Sequence, residues 1–124
     1  MNDEALSTLI EITHQYFDGL HNADVDLLKR IFHPDCVLKA PGIRRDINEW
    51  LSLVSNRPVP ANEGLPYAYR ILNIEVFGQQ AMVKVLCPLL GSTFVDFLGL
   101  LKENDKWLIV NKMYADIPDY LNVE

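Results

Sequence analysis

Apolar residues follow two different periods along this chain. Leu6, Leu9, Ile10, Thr13, Phe17 and Leu20 recur at steps of three and four, which predicts a helix with one apolar face and Tyr16 at its edge. Asn22 or Asp24 is placed to cap a second helix carrying Val25, Leu28, Ile31 and Phe32, and Pro34 ends it by disfavouring helical geometry at His33. A short strand is expected over residues 36–40, then a turn at Pro41-Gly42. Asp46 is placed to cap a third helix with Ile47, Trp50, Leu51 and Val54 on one side. Residues 55–66 hold Pro58, Pro60, Pro66 and Gly64 and read as the longest loop, suited to a mobile rim.

Beyond Pro66 the period changes to two. Strands are expected over residues 67–77, 81–87, 92–102 and 107–116, with turns at Gly78-Gln79-Gln80 and at Glu103-Asn104-Asp105-Lys106 and an interruption at Pro88–Gly91. Helices first and a strand meander after them predict an α+β fold, with three N-terminal helices packed on a highly curved antiparallel sheet. Across 124 residues there is no repeat or composition break, so one domain spanning 1–124 is expected.

Charge and cysteine usage narrow the function classes. The formal net charge is −6, and the only basic doublet, Arg44-Arg45, reads as a solvated turn, so no nucleic-acid partner is expected. Cys36 and Cys87 lie far apart, outside any zinc spacing, and read as buried reduced thiols. The start is acidic and no apolar run is long enough for a span, so a cytoplasmic location with no membrane partner is expected. His14, His21, His33 and Cys36 do not form a metal-ligand spacing, and neither a metal nor a cofactor is expected.

Three strings carry a family resemblance. They are Tyr16-Phe17-Asp18-Gly19-Leu20 with Ala23-Asp24, the run from Phe32 to Leu38, and Phe94-Val95-Asp96-Phe97-Leu98 with the hairpin from Leu101 to Lys112. They resemble the nuclear transport factor 2-like superfamily, in its putative lumazine-binding branch beside the polyketide-cyclase-like group. The resemblance implies a cone-shaped sheet with one pocket on its concave face. That superfamily holds isomerases, dehydratases, hydrolases, transport factors and binders, so the fold alone selects none of them. Ketosteroid isomerase shares the fold, and its tyrosine position falls on Tyr16. Its two acid positions fall on Ala40 and Leu98, which cannot move a proton, so that reaction is excluded.

Strand alternation turns Phe94, Asp96 and Leu98 to one face, and on the last strand Ile109, Asn111 and Met113 share one face. Phe94, Leu98, Ile109, Asn111 and Met113 are the expected ligand contacts. Asp96, in an otherwise apolar strand, needs hydrogen-bond donors, with Tyr16 and Asn111 the nearest candidates. It is either a polar anchor or general base in a pocket, or a buried carboxylate held by backbone N–H groups. His33 is either an acid/base at the pocket rim, with Asp96 and Tyr16, or a partner of a helix-end carbonyl. Trp50 and Trp107 read as core or interface residues, or as pocket walls. The expected function is a small-molecule-binding domain with an apolar pocket for a small hydrophobic molecule. The alternative is a cofactor-independent isomerase, dehydratase or hydrolase. Apolar residues in excess of one concave lining, such as Val83, Val95, Phe97 and Val110, lead to the expectation of a homodimer.

Overall fold

The computed structural model describes residues 3–117. Its elements run α1 (Asp3–Asn22), α2 (Val25–Ile31), β1 (Phe32–Ala40), β2 (Ile43–Asp46), α3 (Ile47–Asn56), β3 (Arg70–Phe77), β4 (Gln80–Leu89), β5 (Ser92–Glu103) and β6 (Lys106–Asp116). The three helices pack on one curved, open sheet of strand order β2-β1-β6-β5-β4-β3. Four of its five strand pairs are antiparallel, and β1 runs parallel to β6. This parallel pair brings the N-terminal half of the chain alongside the last strand, where a meander alone would have left an edge.

Local chemistry sets the helix boundaries. Asp24 caps α2 by accepting from the Leu27 N–H at 3.1 Å, and Asp46 caps α3 by accepting from the Glu49 N–H at 2.8 Å; each satisfies a donor with no partner inside its helix. Phe32 leaves helical geometry with φ −103° and ψ 140° and opens β1 four residues before the expected start. The join between α1 and α2 is tight. A Cβ on Gly19 would sit 2.5 Å from Leu28 Cδ2, so only glycine lets the two helices approach this closely.

Two further differences matter for the site. Arg44-Arg45 is not a solvated turn but part of β2, whose alternation leaves Arg44 exposed and Arg45 half-buried. Pro88 continues β4, paired with Thr93, and the chain reverses at Leu90-Gly91. Both residues have positive φ, 51° and 86°, as tight hairpin turns require. Asn104-Asp105, with φ 52° and 62°, does the same between β5 and β6.

The core fills the space between the helices and the sheet. Leu9, Tyr16, Phe17 and Leu20 of α1 meet Val83, Val85, Leu98 and Ile109 of the strands. Val83, expected on the outer face, pairs with Leu98 and lies in this core. The loop after α3 is tied down. The Ala61 N–H donates to the His21 carbonyl at 2.9 Å, Tyr67 Oη to Asp18 at 2.8 Å, and Tyr69 Oη lies 3.0 Å from His21 Nδ1.

Candidate functional site

One face of β5 carries Asp96 and Leu98 inward, with Asp96 opposite Val85 on β4 and Tyr114 on β6. Asp96 is buried at 3% exposure, and the hydroxyl of fully buried Tyr16 donates to its Oδ2 at 2.6 Å. Burial and the adjacent Asp96 carboxylate hold the Tyr16 hydroxyl well above its ordinary pKa, so it stays a donor. The Cys87 thiol is also pushed up, first by burial and then by Asp96.

This pair lies on the wall of a cavity of about 290 Å³ between α1, α3 and the concave sheet. Leu20, Leu53, Leu89, Phe94, Trp50 and Tyr114 supply apolar and aromatic walls, while Arg45, Arg57 and Lys112 supply cations. Lys112, on β6, is buried beneath Trp50, its Nζ 4.3 Å from the ring centroid. The same Nζ is 3.9 Å from Asp96 Oδ2, beyond hydrogen-bond reach. Burial lowers the Lys112 pKa, and Asp96 opposes that only in part. Arg45 Nη1 donates to Tyr114 Oη at 2.8 Å at the mouth. Arg57, just past α3, presents a buried Nη2 with no hydrogen-bond partner among the described residues.

The expected site residues fall into three groups. Tyr16, Asp96 and Phe94 border the cavity together. Leu98 and Ile109 are buried in the packed core and do not border it. Asn111, Met113 and His33 lie elsewhere. The register shifts between β5 and β6, from Gly99 opposite Asn111 to Leu100 opposite Ile109, so Val110 is an extra residue. This bulge reverses the facing of everything after it. Lys112 and Tyr114 therefore turn inward. Asn111 turns outward beside Gly99 and accepts from Lys39 Nζ at 2.8 Å, and Met113 is exposed on the outer face. His33 sits on β1 with Nδ1 2.5 Å from Asp35 Oδ1, apart from the pocket.

Lys112 was missed because the alternation was carried straight through a bulge that sequence does not announce. The available signal was a lysine inside the run Ile109–Met113, a residue type that strand interiors disfavour. Arg57 gave no comparable signal.

Volume alone does not identify this cavity. A larger crevice of about 430 Å³ lies between α1, α2 and the β5–β6 turn. Of its charged residues, Glu4, Glu11, Arg30, Asp105 and Lys106 are exposed and Lys102 is half-buried, so water dissipates most of their fields. Among the described residues no cluster of His, Cys, Asp and Glu is arranged to hold a metal, and no helix is long and apolar enough to cross a membrane.

Helices on the concave side of a curved sheet, with a pocket between them, define the nuclear transport factor 2-like fold. The chain belongs to the putative lumazine-binding family, whose model matches residues 4–115. Among solved structures, a nuclear transport factor 2-like protein of unknown function from Shewanella baltica OS155 is similar at 22% identity and a TM-score of 0.83, covering 95% of this chain and 98% of its own. A second such protein of unknown function, from Silicibacter pomeroyi DSS-3, is 22% identical with a TM-score of 0.76, covering 94% and 100%. A de novo designed protein with a curved β-sheet is similar at 16% identity and a TM-score of 0.65, over 92% and 99%. No curated protein matches the sequence.

Proposed function

We propose that this chain binds a small, largely apolar molecule in the cavity between α1, α3 and the concave sheet, with Asp96 and Tyr16 as its polar anchor. The observation that carries this reading is the 2.6 Å Tyr16–Asp96 hydrogen bond on the wall of a mainly apolar cavity of about 290 Å³. Such a combination of apolar walls and a few convergent polar groups is what small-molecule sites share. Membership of a family described as putative lumazine-binding agrees with a small-molecule ligand. The test is calorimetry with 2-naphthamide, a flat neutral probe. The wild type is expected to bind it, and Tyr16→Phe and Asp96→Asn to bind it about tenfold more weakly, the loss of one hydrogen bond to a charged group. Unchanged affinity in both variants would make the pair scaffold.

A second reading is a cofactor-independent isomerase, dehydratase or hydrolase. It is favoured by Lys112, an amine of lowered proton affinity beside Asp96 and Tyr16. The checking measurement is deuterium exchange at the α-carbons of 2-tetralone. Exchange faster than in buffer, abolished by Asp96→Asn, supports catalysis, and exchange at the buffer rate removes it.

We also propose that the chain forms a homodimer through the outer sheet face. Phe77, Met82 and Met113 are exposed there, and Val95, Phe97 and Val110 are half-buried on it.

A further inference from the structure

We infer that the ligand of this pocket is a small organic anion, a carboxylate or enolate on a flat apolar body, held by Arg57 and Lys112. This deepens the pocket reading above and rests on it. The first observation is a charge imbalance. Among the lining residues Arg45, Arg57 and Lys112 stand against Asp96 alone, three positive groups to one negative, in a chain whose net charge is −6. A protein rich in carboxylates has cations in excess in the lining of this cavity.

The second observation is that two of these cations are incompletely paired. Lys112 is 6% exposed; its Nζ reaches the Asp96 carboxylate only at 3.9 Å and otherwise lies over the Trp50 ring at 4.3 Å. Arg57 Nη2 is shielded from solvent and unpaired. Burial of unpaired donors on charged groups is unfavourable. Desolvation is the leading cause of the lowered proton affinity of both groups. An anionic group entering the cavity would lie in the field of both cations, which line it together. Asp96 repels an entering anion, but it is one negative group against three lining cations, with Lys112 Nζ 3.9 Å from its Oδ2.

The third observation concerns shape. Trp50, Tyr114, Phe94 and Tyr16 line the same cavity, and aromatic faces pack best on flat, apolar bodies. A guanidinium fork recognises a carboxylate in two parallel bonds, which a spherical halide cannot use. An apolar ring bearing one carboxylate matches both the walls and the cations.

The test compares 2-naphthoate with its neutral isostere 2-naphthamide by calorimetry at pH 7.5. Wild type is expected to bind naphthoate roughly tenfold or more tightly than naphthamide, the value of one charge-assisted hydrogen bond. Arg57→Met and Lys112→Met are each expected to erase most of that preference while leaving naphthamide binding in place. Arg57→Lys, which keeps the charge and loses the fork, should retain only part of it. Equal affinity for the two probes in wild type overturns the anion inference and leaves the pocket standing. Binding of neither probe overturns the pocket and the anion inference together. Inorganic phosphate competing as strongly as naphthoate overturns the organic half of the assignment.

Discussion

At the residue scale the site sets a hydrogen-bonded carboxylate beside two incompletely paired cations, Arg57 and Lys112. Tyr16 donates to Asp96 at 2.6 Å, and removing that hydroxyl leaves a buried carboxylate short of a donor. Tyr16→Phe is therefore expected to lower stability by about 1–3 kcal/mol, read from the urea midpoint. Lys112 works the other way. Its folded pKa lies below the ordinary 10.5 because burial outweighs the attraction of Asp96. The protonated amine thus opposes folding at every pH below its folded pKa. That penalty fades as pH rises through the window between the folded value and 10.5, since the folded state releases the proton first. The double variant Lys112→Met with Asp96→Asn, which strands neither charge, is expected to raise the stability of the protein at pH 7 by about 1 kcal/mol or more. Its advantage should shrink as pH approaches 10.5. A variant less stable than wild type at pH 7, or a difference constant with pH, would show that Lys112 is well paired. Stability gained at the expense of binding is the expected exchange at a functional site.

At the element scale, two junctions set where the site residues point. The first is the join of α1 to α2, where Gly19 allows Leu28 to approach the helix backbone. Gly19→Ala would place a methyl 2.5 Å from a side chain that is fully buried, and is expected to cost about 1–3 kcal/mol. The second is the β4–β5 turn, where Leu90 adopts φ 51°, a region unfavourable for leucine by roughly 1–2 kcal/mol. Leu90→Asn would give the Asn-Gly pair such turns prefer and is expected to stabilise by about 0.5–1 kcal/mol, again read from the denaturation midpoint. The three helices, the caps Asp24 and Asp46 and the long strands could all be read from sequence, because period and capping are local signals. So could the inward placement of Phe94 and Asp96, which rests on two-residue alternation within one strand. What could not be read is non-local. The parallel β1–β6 pair, the strand character of Arg44-Arg45 and the bulge at Val110 depend on which strand becomes the neighbour. One extra residue at Val110 exchanged Asn111 and Met113 for Lys112 and Tyr114 as inward residues. It thereby concealed a principal cation of the site.

For the molecule as a whole, the sheet has two faces with different uses. The concave face is covered by helices except at the cavity, and the outer face leaves Phe77 77% exposed and Met82 and Met113 each 45% exposed. Light scattering at micromolar concentration is expected to give twice the mass of one chain; a clean monomer removes the dimer. The ligand account requires binding on the concave face, and the two tryptophans report on it separately. Trp50 lines the cavity beneath α3, while Trp107 borders the separate crevice beside α1 and α2. Each indole N–H gives its own signal in a 1H–15N spectrum. Titration with 2-naphthoate is predicted to shift the Trp50 indole signal, with the backbone amides of Arg57, Asp96 and Lys112, and to leave the Trp107 signal in place. Shifts confined to Trp107, or to Phe77 and Met82 on the outer face, would contradict the account.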